Sequence, residues 1–156
     1  MIRKLEPKDR PVIEKILIDT AIFNEEEIKV ALELINIYLN DNEQTDYNII
    51  VYVNEMNIPL GYICFGKTPM TVATYDMYWI AVDPAHHNNG IGKKMVEQLE
   101  CIVKSLNGKL IIVETSSREE YKNTRMFYIK LDYKELSRIE NYYKNNDDLI
   151  IYGKYL

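Results

Sequence analysis

Two glycines set two residues apart constrain this chain more than any other feature. They are Gly90 and Gly92, in the stretch VDPAHHNNGIGKKM from Val82 to Met95. The apolar run TVATYDMYWIAV ends at its edge, and Ile91, Met95, Leu99, Ile102 and Leu106 then recur at helical spacing. A strand therefore gives way to a helix at a loop that holds two of the six glycines. A helix N-terminus presents free N–H groups and about half a positive charge, and glycine lets the backbone itself approach a ligand. The loop from Asn88 to Lys93 is a candidate cradle for a diphosphate, with a plain strand-to-helix bend as the alternative. Two other phosphate motifs do not fit. A P-loop needs glycine where His87 stands and a hydroxyl where Lys94 stands; a dinucleotide fingerprint needs glycine at Met95.

The remaining segments supply the elements around this loop. MIRKLE reads as a first strand and PKDRPVIEKILIDT as a helix, with Pro7 near its start. Asn24, followed by Glu27, makes a capping-box pair before a second helix with Ile28, Leu32, Ile35 and Leu39 at helical spacing. YNIIVYV and LGYICFG read as a strand pair joined by NEMNIP, and TVATYDMYWIAV as a long fourth strand. After the helix that begins at Ile91, Asn107 and Gly108 mark its stop. KLIIVETSS is a strand, YKNTRMFYIKL a helix, and YKELSRI and DDLIIYGKYL are the last strands. The hairpins predict antiparallel pairs, and the crossover around Gly90 predicts a parallel one. The expected fold is a mixed α/β sheet with helices on both faces, in one domain spanning residues 1–156.

Bulk composition narrows the function. A net charge of −5 argues against a nucleic-acid partner, and is mildly consistent with a cationic small molecule or with solubility alone. The charged start MIRKLEPKDRPVIEK predicts no secretory signal, and no apolar run approaches a membrane span, so we expect a cytoplasmic protein with no membrane partner. Cys64 and Cys101 are too few and too scattered for a disulfide framework or a zinc site. His86 and His87 are adjacent, with no carboxylate or Cys at ligand spacing, so no metal is expected.

The stretch VDPAHHNNGIGKKM resembles the signature of the GCN5-related N-acetyltransferases (GNAT), in which Val-x-Pro leads into Arg/Gln-x-x-Gly-x-Gly/Ala. Val82, Pro84, Gly90 and Gly92 match. NTRMFYIKLDY resembles the family's second region, with matches at Asn123 and Tyr128. The order of elements matches over nearly the whole chain. Two positions depart: His87 replaces Arg/Gln, and Asp132–Tyr133 replaces Gly-Phe, so the turn after the last helix is expected to differ locally.

The resemblance implies a mostly antiparallel sheet of six to seven strands, with the fourth and fifth parallel and splayed. It implies transfer of an acetyl group from acetyl-CoA to an amine. His87, Asn88, Asn89, Gly90, Ile91, Gly92 and Lys93 would hold the diphosphate, and the backbone of Ile80, Ala81 and Val82 the pantetheine arm. Asn123, Arg125 and Phe127 would add cofactor contacts, a solvated helix face being the other reading for Arg125. Tyr128 would serve the leaving thiolate. Asp76 matches where some relatives carry a catalytic Glu.

Glu114 is a second candidate base, because it shares a strand face with Leu110 and Ile112, an odd place for a charge outside a cleft. Either acid has an alternative role in orienting substrate or capping a turn. Phe23, Thr74, Tyr75 and Tyr143 fall in segments expected to line the acceptor pocket. The expected acceptor is a small-molecule amine such as an amino acid or polyamine. Two alternatives stay open: a non-catalytic acyl-CoA module, and an enzyme acting on protein N-termini or lysines. A homodimer is compatible with the resemblance.

Overall fold

A computed structural model describes all residues, Met1–Leu156. The elements run β1 (Ile2–Lys4), α1 (Arg10–Asp19), α2 (Glu25–Asn40), β2 (Asn48–Val53), β3 (Pro59–Lys67), β4 (Thr74–Val82), α3 (Ile91–Ser105), β5 (Leu110–Ser116), α4 (Lys122–Lys130), β6 (Lys134–Lys144) and β7 (Asp147–Tyr155). Seven strands form one sheet in the order β1-β2-β3-β4-β5-β7-β6. Every neighbouring pair is antiparallel except β4–β5. No helix is long and apolar enough to cross a membrane.

Period-two alternation in the strands feeds two apolar layers. On one face, Ile63, Phe65, Tyr75, Met77, Ile111 and Val113 meet Met95, Leu99 and Val103 of α3 and Tyr128 of α4. On the other, Ile49, Val51, Tyr62, Cys64 and Ala81 meet Ile13, Leu17, Ala31 and Ile35 of α1 and α2. The buried stripe of α3 runs through Val96 and Val103, while Leu106, expected on it, is half exposed.

Short polar signals set the helix ends. Asn24 and Glu27 form the expected capping box at α2, each side chain accepting from the other's backbone N–H. Asn107, at φ 61°, makes the left-handed turn that stops α3. Asp132 takes the same conformation after α4, at φ 67°, and the Tyr133 N–H returns to the Tyr128 carbonyl. Aspartate tolerates this region better than most residues, so the Gly-to-Asp departure leaves a left-handed turn in place. Tyr133 then enters the core.

β4 and β5 share only three paired positions, Thr74–Leu110, Tyr75–Ile111 and Asp76–Ile112. Beyond Asp76 they part. The cause is local. β3 pairs Phe65 with Met77 and Cys64 with Trp79, so Tyr78 is an extra residue on β4. Such a bulge bends its strand and increases the twist. It swings Met77–Val82 off β5, while β5 stays paired with β7 to its end at Ser116.

Candidate active site

Three parts of the chain converge where β4 leaves β5. The first is the loop into α3. Gly90 sits at φ 73°, and a Cβ there would meet nothing within 4 Å, so its dihedral rather than crowding calls for glycine. Gly92 has the opposite reason. A Cβ on it would lie 3.2 Å from the Phe127 ring, so its smallness lets α4 pack on the first turn of α3. No side chain caps α3, and the N–H groups of Ile91, Gly92 and Lys93 have no acceptor in the chain. Asn88, Asn89 and Lys93 are exposed around them. These free amides, beside the open space at Gly90, fit an anionic diphosphate.

The second part is the free edge of β4. The Asp83 N–H donates to the Leu60 carbonyl on the β3 side. Alternation then turns the polar backbone of Ala81 toward β3, and that of Ile80 and Val82 toward the gap. The Val82 carbonyl faces the His87 ring, whose Nε2 lies 2.9 Å away and donates to it as the Nε2–H tautomer. His87, expected at a phosphate, thus closes the end of this edge with that nitrogen.

The third part is Tyr128 of α4. It is buried, with ring centroids of Phe127, Tyr152 and Tyr133 at 5.6, 6.0 and 6.1 Å. Its hydroxyl bonds to no protein group and, unlike those of Tyr62 and Tyr133, is not sealed from the surface. Burial raises its pKa, so the phenol keeps its proton near neutral pH.

The opposite face of the sheet holds the acids. Asp76 occupies the last β4–β5 pair, and Glu114 follows two residues beyond Ile112 on the same side. Thr68 Oγ1 donates to Asp76 Oδ2 at 2.6 Å. Burial raises the pKa of both carboxyls. The Thr68 bond opposes that rise at Asp76, whereas the charge of Asp76 adds to it at Glu114. No cation offsets either one.

The aromatic residues expected at the acceptor side fall in two places. Phe23, in the α1–α2 connection, lies 6.0 Å from Trp79 and 6.3 Å from Tyr121. Tyr143 projects from the irregular outer half of β6, 5.0 Å from Tyr142. Burial, and next the charge of Glu114, push its hydroxyl pKa up to about 12. Thr74 lies two residues before Asp76 on the same face.

Besides His87 and Ala81, whose backbone faces β3, Tyr75 and Arg125 also lie elsewhere or act differently. Tyr75 is not on the acceptor side. Its neighbours Thr74 and Asp76 point one way, so alternation sends Tyr75 into the core beneath α3, beside Val103. Arg125 spends Nη1 on the Ser116 and Arg118 carbonyls, at 2.8 and 2.7 Å, and so ties α4 to the end of β5 rather than reaching for a phosphate. Asn123 is exposed on the first turn of α4 and makes no side-chain hydrogen bond within the chain.

Sequence reasoning overlooked a clasp across the cleft. The Glu27 carboxylate accepts from the Asn24 N–H at 2.7 Å, from Arg118 Nη2 at 3.1 Å and from the Tyr121 hydroxyl at 2.9 Å. Arg118 also lies over the Tyr121 ring at 5.1 Å, with Nε 3.7 Å from Asp147 Oδ2. Glu27 was visible only as a helix cap; its partners stand 91 and 94 residues away. We expect Glu27→Ala to cost about 2 kcal/mol, because one truncation removes a cap bond and two further bonds, one of them charged. Thermal unfolding should then fall by roughly 4–8 °C, and Glu27→Gln, which keeps an acceptor oxygen, should lose less. An unchanged melting temperature for Glu27→Ala would refute the clasp. No group of three or more His, Cys, Asp or Glu side chains is arranged to hold a metal ion.

Comparison with known proteins agrees with this geometry. The family model for the acetyltransferase (GNAT) domain matches residues 45–135. A crystal structure of a GNAT-family protein from Desulfovibrio desulfuricans superposes with a TM-score of 0.92 at 31% identity, covering 99% of this chain and 98% of that one. An aminoglycoside 6'-N-acetyltransferase complexed with coenzyme A gives 0.76 at 16% identity, covering 99% and 96%. An alanine N-acetyltransferase of a ribosomal protein from Escherichia coli gives 0.74 at 18%, covering 99% and 92%. The last two likenesses concern the fold alone. No curated protein matches the sequence.

Proposed function

The chain belongs to the GNAT family of acetyltransferases, and from that membership we propose that it moves an acetyl group from acetyl-CoA to the amine of a small molecule, with residues 1–156 as one catalytic domain. The observation that carries this reading is the convergence of three features: uncapped amides at Ile91–Lys93, the unpaired β4 edge, and the Tyr128 hydroxyl without a protein partner.

Each feature has a use in acyl transfer. Acetyl-CoA supplies the thioester carbonyl that the amine attacks. The α3 amides bind the diphosphate, and the gap-facing N–H and C=O groups of Ile80 and the N–H of Val82, whose carbonyl His87 holds, pair with the amides of the pantetheine arm. Phe127 walls this channel, and Asn123 stands at its exposed side. The amine must be neutral when it attacks, although alkylamines are mostly protonated near pH 7. Asp76 takes the proton, directly or through water, with Glu114 beside it as a second anion. The bond from the carbonyl carbon to sulfur breaks, and the departing thiolate receives a hydrogen bond or proton from Tyr128.

Charge favours one kind of acceptor. Asp76 and Glu114 carry no offsetting cation, the Tyr143 ring lies within the field of Glu114, and Phe23 and Trp79 stack on each other. Anions and aromatic faces together attract ammonium groups, so an amine bearing a further positive charge suits this cleft better than an amino acid with its carboxylate. Incubation with acetyl-CoA and a panel of diamines, polyamines and amino acids, followed by free-thiol detection, tests the reading. Diamines and polyamines should give kcat/KM at least 10-fold above amino acids, the equivalent of about 1.4 kcal/mol. Thiol release with none of them, despite coenzyme A binding, would sink the proposal and return the chain to a non-catalytic acyl-CoA role.

A further inference from the structure

Asp76 presents its two carboxylate oxygens to different surroundings. Oδ2 is taken by the Thr68 hydroxyl at 2.6 Å, and Oδ1 has no bonded partner in the chain. Thr68 is itself held in place. Its N–H donates to the Thr74 carbonyl at 2.9 Å, and its own carbonyl accepts from the Thr71 hydroxyl at 2.8 Å. The β3–β4 connection therefore delivers one fixed hydroxyl to one oxygen of one acid.

That acid lies in unfavourable surroundings for a charge. The ionisable groups facing it are Glu114 from β5 and the Tyr78 hydroxyl from the bulge in β4. Tyr47, from the α2–β2 connection, stacks edge-on against Tyr78 at 5.5 Å, and Asp46 acts on both tyrosines. None of these brings a positive charge. Against burial, the hydroxyl of Thr68 is the only group that favours the ionised form.

We infer that Thr68 is a positioning residue for the transfer reaction: its hydroxyl holds the Asp76 carboxylate in one orientation and in its charged form, leaving Oδ1 toward the cleft to take the amine proton. This rests on the role of Asp76 proposed above. A threonine in a loop eight residues before an acid carries no sequence signal for such a role; the hairpin register creates it.

The test separates the hydrogen bond from the chemistry. The Asp76 side-chain carboxyl is titrated by carbon-13 NMR in the free protein, with Asp76→Asn identifying its resonance. Thr68→Val removes the hydroxyl at nearly constant volume, Thr68→Ala repeats the deletion with a smaller side chain, and Thr68→Ser restores the donor. A hydrogen bond to the charged form lowers an acid's pKa. Both deletions should therefore raise the Asp76 midpoint by about one pH unit, and Thr68→Ser should return it to within a few tenths. With spermidine as acceptor, the acid limb of kcat/KM should shift upward by the same amount, because protonated Asp76 cannot take a proton. An Asp76 midpoint unmoved in Thr68→Val and Thr68→Ala overturns the inference. Full turnover by Asp76→Asn would remove the base assignment instead, whatever the titration shows.

Discussion

Tyr128→Phe is expected to lower kcat by roughly 100-fold while leaving the fold and the affinity for coenzyme A unchanged. The reasoning begins with packing. The ring is fixed among Phe127, Tyr133 and Tyr152, and phenylalanine keeps every one of those contacts. The hydroxyl bonds to no protein group, so its deletion breaks no internal hydrogen bond and melting should shift by under a few degrees. A positioned proton donor contributes about 100- to 10,000-fold to a rate, and the lower end applies where water can partly substitute. Steady-state kinetics with saturating acetyl-CoA, beside calorimetry with coenzyme A, separates the two quantities. Equal kcat in mutant and parent would remove Tyr128 from the chemistry.

Gly90→Val should weaken coenzyme A binding by roughly 10- to 100-fold. A β-branched residue at φ 73° costs on the order of 1–2 kcal/mol of backbone strain, and relief of that strain turns the loop amides away from the diphosphate. Gly90→Asn provides the control. Asparagine enters the left-handed region readily, and the space around a Cβ at this position is open. Its affinity should stay within a few-fold of the parent. Equal weakening by both variants would mean that bulk rather than dihedral matters there. No weakening by Gly90→Val would take the loop out of cofactor binding.

The legible parts of this fold are those governed by neighbours in sequence. The Asn24–Glu27 cap, the Asn107 stop and the turn at Gly90 each depend on a few adjacent residues, and each took its expected place. The parallel crossover was legible for the same reason, since a strand, a loop and a helix follow directly. The cause of the β4–β5 gap was not. A bulge at Tyr78 is a mismatch between two strands, and no property of TYDMYWIAV by itself reveals which residue β3 will skip. The Arg125 anchor was not legible either, because its partners are main-chain carbonyls, which every residue supplies and no motif marks. Tyr75 differs, because its placement follows from the strand period alone. Adjacent strand residues face opposite ways, so Tyr75 and Asp76 cannot share a wall.

Glu27 joins two halves of the molecule that otherwise share little at the cleft. One half is β1–β4 with α1 and α2; the other is β5–β7 with α4, and only three residue pairs link the strands at their seam. The carboxylate crosses that seam, grasping Arg118 and Tyr121 on the far bank while holding the start of α2 on the near one. Phe23 rests in between, one residue from the capped turn and against Tyr121. Any spreading of the seam must stretch those bonds or drag Phe23 along, so the width of the β4–β5 gap and the position of the Phe23 ring are geared to each other through a single side chain.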